Sequence, residues 1–342
     1  ADESEPGTCK DRELLEKNPH LLIEGIVATC YACQIETAYI YFRGEFQHAS
    51  DLMDKAIEEA HKKGYLGKNI MGSGLDLDLY THLGAGAYIC GEESALLNSL
   101  EGRRGEPRLK PPFPAVEGLY GKPTVINNVE TLCAVPWIVN EGGEKYAAIG
   151  TEKSKGTKLV SVSGHVKKPG NYEIVLGMPV REIIFDLAGG IRNDNRLKAF
   201  IPGGSSVPML TADKVDVGYD YESLQEAGSM LGSGALIVMD HTVNVVEVTL
   251  RLAYFYMHES CGKCTPCREG TRWMWQILGK IQTGEGVGAQ VDKLLDICDN
   301  MSFKCFCPLG DAAVGPVASS IKCFRSDYDE LIKKLEGDKV AT

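Results

Sequence analysis

The apolar positions of this chain recur at helical spacing in some segments and alternate in others. Within 50–63, Leu52, Met53, Ala56, Ile57 and Ala60 fall three and four residues apart. That spacing predicts an amphipathic helix with Ser50 as its N-cap. Residues 21–34 form an apolar, helix-like stretch, and the β-rich 38–42 ends at Arg43-Gly44-Glu45. Leu75-Asp-Leu-Asp-Leu-Tyr80 alternates with period two and reads as a half-buried strand. A glycine-rich turn over 84–93 then opens into a helical 94–101. This β–α order over 1–150 predicts a three-layer α/β domain.

Residues 103–123 are rich in Pro and Gly and read as loops, and 142–156 as a linker. The next region is β-rich: 158–164 and 170–175 resemble a hairpin, 180–188 a helix, 199–202 and 235–239 strands. From Val243 the periods become helical, with helices over 269–283, 291–300 and 327–335. No internal repeat or low-complexity tract interrupts this order.

A length of 342 residues fits two or three domains, and an apolar fraction of 44% supplies sizeable cores. No apolar run approaches the ~18 residues that a transmembrane helix needs. A net charge of −11 argues against nucleic acid and against unaided binding to anionic lipid. Twelve cysteines without a secretory signal point to metal or redox use in a reducing compartment. The chain opens Ala1-Asp-Glu-Ser-Glu-Pro-Gly with neither initiator Met nor targeting pattern, and reads as if cut into mid-domain.

The cysteine pattern carries the chemistry. Cys261-Gly-Lys-Cys264-Thr-Pro-Cys267 sets three thiolates on one tight loop, and a distant Cys307-Pro308 can supply a fourth. A [4Fe–4S] cluster needs one thiolate per iron, which this arrangement provides. Zinc would also accept four ligands, although its sites usually come as two C-x2-C pairs. Cys298 and Cys305 compete with Cys307 for the fourth position, which spacing alone does not decide. Cys30-Tyr-Ala-Cys33 is a C-x-x-C within an apolar helix, read as two small buried residues on one helical face rather than a redox pair.

The second signal is Gly84-Ala-Gly86-Ala-Tyr88-Ile-Cys-Gly91-Glu92-Glu93. Glycines before a helix N-terminus let a cofactor approach the backbone, and a tight strand-to-helix turn would need them too. The acidic run Asp2-Glu3-Ser4-Glu5 and the pair Asn127-Asn128 accompany it. Carboxylates and amides suit hydroxyls and carboxamides rather than phosphates. Arg103, Arg104 and Arg108 read as a solvated basic face.

Five motifs, in order, carry a resemblance. They are Ala1-Asp-Glu-Ser-Glu-Pro-Gly, the glycine-rich turn over 84–93, Pro107-Arg-Leu-Lys-Pro-Pro-Phe-Pro, Asn127-Asn-Val-Glu-Thr and Glu259-Ser-Cys-Gly-Lys-Cys-Thr-Pro-Cys-Arg-Glu-Gly. Together they closely resemble the NADH- and FMN-binding subunit of respiratory NADH:quinone oxidoreductase (complex I), over nearly the whole chain. Diaphorase subunits of NAD-linked hydrogenases and formate dehydrogenases share them.

The resemblance implies three regions. These are a Rossmann-like α/β flavin domain over 1–150, a ubiquitin-like β-grasp domain of SLBB type over 151–240, and a helical bundle over 241–342 holding the cluster. It implies FMN contacts at Asp2, Glu3, Ser4, Tyr88, Gly91, Glu92, Asn127, Asn128 and Thr131. Glu5 and Glu93 would lie on the nicotinamide–ribose side, and Lys110 and Phe113 near the NADH site. Cluster ligands would be Cys261, Cys264, Cys267 and Cys307, because Cys307-Pro-Leu-Gly-Asp matches the family, with Cys305 and Cys323 as spectators.

The implied activity is hydride transfer from NADH to FMN, followed by single-electron transfer to the cluster and on towards quinone. No side chain is assigned as a general base. Implied partners are a thioredoxin-like 2Fe-2S subunit and a large multi-cluster subunit, with the protein peripheral on the cytoplasmic face of the inner membrane or on the mitochondrial matrix side. The alternatives are a diaphorase subunit of a hydrogenase or formate dehydrogenase, and a non-enzymatic zinc scaffold. The family's glycine-rich FMN-phosphate loop lies upstream of Ala1, so the chain as written is expected to bind FMN weakly or not at all.

Overall fold

The computed structural model describes residues 1–285 and 288–340, and the side chains among them outside 334–340. It divides into two units, one of residues 1–4 with 9–149 and one of residues 5–8 with 150 onward.

In the first unit, α1 (Lys10–Lys17) and α2 (Pro19–Cys33) lead to β1 (Thr37–Phe42), α3 (Gln47–Lys62), β2 (Asp78–Leu83), α4 (Glu93–Leu100), α5 (Val129–Glu141) and α6 (Gly143–Ala147). β1 and β2 pair in parallel, from Thr37 beside Asp78 to Phe42 beside Leu83. Parallel neighbours need a crossover between them, and α3 supplies it. Ile40, Phe42 and Leu79 join Leu22, Ile26, Met53 and Ile57 in one core. α2 starts where the Asn18 side chain accepts the Leu21 N–H and Pro19 takes the first turn, and it ends at Gln34 in the left-handed region. α2 and α5 approach so closely that a Cβ at Gly25 would lie 2.0 Å from the Leu132 carbonyl oxygen.

Three expectations shift here. α3 begins at Gln47, so Ser50 is a buried interior residue and not the cap. Buried Phe46 and Ala49 carry the apolar stripe one turn further upstream than the spacing predicts. β2 begins only at Asp78, because Leu77 is used earlier, pairing with Gly67 in an isolated bridge. Cys30 is buried, its thiol pushed up to about 11 by burial foremost, but Cys33 ends α2 and is exposed. The two do not share one buried face.

The second unit contains β3 (Thr157–Gly164), β4 (Gly170–Val175), α7 (Val180–Glu182), β5 (Leu197–Ile201), β6 (Leu210–Thr211), α8 (Tyr221–Glu226) and β7 (Ala235–Asp240). The strands form one sheet in the order β4-β3-β7-β5-β6. β3 and β4 are the antiparallel hairpin, and β3 lies parallel to β7 at the centre. The helix expected over 180–188 is only α7 followed by a π turn at Ile183–Leu187, whose Ile183 and Ile184 are buried in the sheet's core. The expected linker 142–156 is structured: it contains α6, and Gly150 bridges to Lys155. The Thr151 Oγ1 accepts the Ser154 N–H at 2.9 Å, and the Ser154 hydroxyl reaches Glu222 at 2.6 Å. A polar, glycine-containing composition conceals such side-chain turns.

The chain then forms α9 (Val245–Glu259), α10 (Thr265–Gln282), α11 (Gly288–Met301) and α12 (Leu309–Val340), packed as a bundle. α12 starts well upstream of the expected 327 and bends at Phe324. Gly310, Gly315 and Pro316 obscured its first half, although Leu309, Ala313, Val317 and Ile321 recur every four residues and are buried. No helix among the described residues is long and apolar enough to cross a membrane.

Asp240, at the end of β7, is fully buried. Burial alone would raise its pKa, but the Asn195 amide at 2.8 Å, the Thr242 hydroxyl at 2.6 Å and His165 at 2.9 Å hold it well below the ordinary value. A depressed folded-state pKa gives stability that is present above the unfolded value of about 3.9 and lost as pH falls towards the folded one. Acid titration of stability should therefore show a loss starting near pH 4 that Asp240→Asn flattens. An identical acid limb in the variant would show that Asp240 is not the group responsible.

Candidate functional site

Two groups of residues draw together the chemistry, one in each unit. In the first unit the chain leaves β2, makes one tight turn at Tyr88–Gly91 and enters α4. Glu92 caps that helix. Its Oε2 accepts the N–H groups of Ser94 at 3.0 Å and Ala95 at 2.9 Å, and the Ser94 hydroxyl at 2.6 Å. Its Oε1 accepts from the Lys110 ammonium at 2.8 Å, and the same ammonium bonds to Glu93. Burial works to raise the Glu92 pKa, but the bonds from Lys110 and Ser94 outweigh it and hold the carboxylate ionised. Lys110 thus joins two carboxylates expected at the site, and Tyr88 lies half-buried on the same turn.

Gly91 tests the fit to a ligand. A Cβ there would meet only the Asp2 carbonyl oxygen, at 3.6 Å, which is ordinary contact. Packing within the protein therefore leaves room for a side chain at 91. An exposed glycine backbone just before the Glu92 cap of α4 suits a group that approaches the main chain closely.

The loop bearing Lys110 and Phe113 is pinned by Arg108. Its N–H donates to the Ser94 hydroxyl at 2.9 Å, its Nε to Asn98 Oδ1 at 2.8 Å and its Nη1 to the Gly118 carbonyl at 3.2 Å. Its Nη2 pairs with Glu101 at 2.8 Å. Arg108 is therefore a strut within the fold and not part of a solvated face, whereas Arg103 and Arg104 are exposed. Phe113 is 58% exposed, which excludes a core role.

The acidic run at the start is divided. Asp2 and Ser4 stay together in the first unit, joined by a hydrogen bond, and burial pushes the Asp2 pKa up to about 6. Glu3 is buried, with both carboxylate oxygens engaged. It accepts the N–H groups of Lys10 and Asp11 at 2.8 Å each and of Arg12 at 3.1 Å, and so caps α1. Glu5 belongs to the second unit, where it accepts the Ser206 N–H at 2.7 Å and the Ser205 hydroxyl at 3.1 Å. Asn127, Asn128 and Thr131 lie exposed at the start of α5.

Sequence reasoning missed Lys10, Asp11 and Glu130. They form a buried charge cluster beneath Asn128, with Lys10 Nζ 2.7 Å from Asp11 and 2.9 Å from Glu130. Burial opposes the Lys10 ammonium, but these two carboxylates raise its pKa above the ordinary lysine value. Lys10-Asp11 looks in sequence like any polar helix start.

In the second unit Cys261 and Cys264 lie on the loop between α9 and α10, and Cys267 in the first turn of α10. Cys307 lies just before α12. Burial first, then the proximity of Cys264, Cys307 and Cys261, pushes the Cys267 thiol up to about 12. Four thiols set this close repel one another as thiolates, and the positive charge of bound metal relieves that repulsion. Among the described residues no three Cys, His or acid groups converge tightly enough for a single ion. A four-iron cube takes one thiolate on each iron, and four neighbouring thiols supply that number.

Cys305 also lies near Cys264 and Cys267, but its thiol donates to the Met301 carbonyl at 3.4 Å. The Phe306 N–H points at the Cys264 sulfur at 3.4 Å, and the Ser260 hydroxyl lies 3.2 Å from the Cys267 sulfur. Such contacts orient ligand sulfurs. Cys323 is exposed on α12.

Comparison with known proteins gives the same order. Residues 1–137 match the Nuo51 FMN-binding domain, 158–238 the SLBB domain, and 247–331 the NADH-ubiquinone oxidoreductase-F iron-sulfur binding region. The chain is 56% identical over 332 residues to the NADH-quinone oxidoreductase F subunit of Streptomyces coelicolor, covering 97% of this chain and 74% of that protein. It is 51% identical over 334 residues to the corresponding protein of Rickettsia felis, covering 97% and 79%. Among solved structures, the NAD+-reducing [NiFe]-hydrogenase in its H2-reduced state matches with a TM-score of 0.89 and 35% identity. This chain is covered to 97% there, and spans 55% of that hydrogenase chain.

Proposed function

The chain belongs to the family of NADH-quinone oxidoreductase F subunits, and from that premise we propose that it is the electron-input component of such a complex. It takes a hydride from NADH and passes electrons singly towards quinone. The observation that carries the reading is the pairing of an acid-capped, open-backbone turn at Gly91 with a four-thiol site in the helical bundle. FMN, when bound, supplies the change from two-electron to one-electron chemistry, and a [4Fe–4S] cluster supplies one-electron carriage.

The chain's own residues bind and orient. Gly91 offers open backbone, and Asp2, Ser4, Tyr88, Glu92, Asn127, Asn128 and Thr131 supply polar groups for FMN. Lys110 is the cation for the dinucleotide, and exposed Phe113 offers it a ring face. Cys261, Cys264, Cys267 and Cys307 are the thiolates for the cluster. The surrounding partners are a thioredoxin-like 2Fe-2S subunit and a large multi-cluster subunit. The protein sits peripherally on the cytoplasmic face of the inner membrane, or on the matrix side in a mitochondrion. The hydrogenase likeness favours a second reading, a diaphorase subunit, in which the same chemistry serves another acceptor.

The experiment is anaerobic NADH titration of the full-length protein, followed by visible spectroscopy and metal analysis. Bleaching of a flavin band together with iron–sulfur absorption is expected, and a colourless zinc protein would sink the proposal. Quinone reduction in the assembled complex separates the two readings. Glu93 refines the test. Its carboxylate favours the cationic oxidised nicotinamide over the neutral reduced one, and the Lys110 bond tempers that preference. Glu93→Gln is expected to weaken NAD+ relative to NADH by about threefold. An unchanged ratio would remove Glu93 from the site.

A further inference from the structure

Asn128 is the end of a charge network that nothing in the function so far requires. Its amide oxygen accepts the Glu130 N–H at 3.0 Å and faces the Lys10 ammonium at 3.3 Å. Its amide nitrogen donates to Asp11 Oδ2 at 2.8 Å. Each neighbour has a fixed polarity. An ammonium and a backbone N–H only donate, and an ionised carboxylate only accepts. Turning the amide over would set its NH2 against two donors and its oxygen against a carboxylate. The orientation is therefore dictated by chemistry as well as by shape. Lys10 and Asp11 are almost wholly buried, so the two charged partners are held in place beneath the exposed amide. The Asn128 oxygen is saturated by its two partners, and its nitrogen keeps a second N–H directed away from Asp11.

We infer that the buried Lys10–Asp11–Glu130 cluster is a positioning device that fixes the Asn128 amide so that it presents only a hydrogen-bond donor to the bound flavin. The inference rests on the reading that Asn128 faces FMN. Position 128 thereby selects an acceptor atom of the ligand and rejects a donor. Lys10, Asp11 and Glu130 act through Asn128 and touch no ligand themselves.

The test uses the full-length protein, stripped of FMN and retitrated by flavin fluorescence, with the visible band of the bound flavin recorded. Asn128→Ala is compared with a charge-free set, Lys10→Met/Asp11→Leu/Glu130→Gln, and with the two combined. Replacing a buried charge pair by apolar groups of similar volume is commonly tolerated, so the set keeps the fold. Should it fail to, Asp11→Asn, which retains size and removes only the charge, takes its place in the comparison. Asn128→Ala and the charge-free set are each expected to weaken FMN about tenfold, the scale of one hydrogen bond lost to a ligand, and to shift the flavin band alike. The combined variant is expected to be no weaker than Asn128→Ala, because residues acting through one contact are non-additive.

If Asn128→Ala weakens FMN while the charge-free set leaves affinity and band unchanged, or if the losses add, the positioning role is overturned and the FMN reading of Asn128 stands. Wild-type affinity and spectrum in Asn128→Ala would overturn both.

Discussion

Replacing Cys307 by serine is expected to abolish the iron–sulfur absorption of the protein, while replacing Cys305 leaves about four irons per chain. Both thiols lie on the short connection between α11 and α12, two positions apart, and both are near the C-x2-C-x2-C loop. Cys305 has a structural bond of its own. Cys305 donates its S–H to the Met301 carbonyl, and burial foremost pushes its pKa up to about 12. A ligand must lose that proton, so binding metal through Cys305 would forfeit its bond to the Met301 carbonyl, which would keep only the Lys304 N–H at 3.1 Å. Cys307 is half-buried and adds to the charge that the Cys267 thiol feels. A Cβ at Gly310 would lie 2.2 Å from the Cys305 sulfur, so Cys305 is packed against the start of α12 as a structural residue. Cys305→Ser should therefore cost stability but little iron. Iron analysis and the low-temperature EPR signal of the reduced protein decide the matter. Equal loss in both variants, or loss only in Cys305→Ser, would reassign the fourth ligand.

Arg108→Ala should be the most damaging single change in the first unit. The side chain is three-quarters buried and serves Glu101, Asn98 and the Gly118 carbonyl at once. Truncation leaves the Glu101 carboxylate, itself 8% exposed, without its closest cation. Breaking such a pair from one side is expected to cost about 3 kcal/mol. The same change releases the loop that holds Lys110 against Glu92 and Glu93. A coupled outcome is therefore predicted: a lowered denaturation midpoint, and an NADH KM raised well beyond what the stability loss explains at temperatures where the variant remains folded. Arg108→Lys should recover the charge but not the fork, and so only part of either effect. A destabilised variant with wild-type KM would show that the strut supports α4 alone.

Much of this protein was written in its sequence. Local chemistry is legible because short spacings constrain it. Three cysteines at C-x2-C-x2-C spacing must lie close together, here on the α9–α10 loop and the first turn of α10, and five ordered motifs identify the family, hence the flavin domain, the SLBB sheet and the cluster-binding helices. β-rich composition likewise placed the β3–β4 hairpin, a continuous apolar stretch placed α2, and helical periods placed α3 and α9. The misses fall where a pattern is shared by two structures or hidden by small residues. The alternation after Leu75 was divided between a bridge to Gly67 and β2, because extended residues alternate faces whether they pair in a ladder or in a single bridge. The first half of α12 was lost behind glycine and proline.

What only the tertiary structure decided is which polar groups are already occupied. Asp2, Glu3, Ser4 and Glu5 are four adjacent polar residues in sequence. In the fold Glu3 caps α1, Glu5 binds the Ser205-Ser206 turn, and Asp2 pairs with Ser4. Arg108 proved to be a strut, and Lys10 with Asp11 and Glu130 a buried cluster under Asn128. Residues more than a hundred positions apart, such as Asp11 and Asn128, leave no mark on each other locally. Their hydrogen bond exists because the packing of α1 against α5 removes water from Asp11, and a buried polar group must find a partner wherever the fold supplies one.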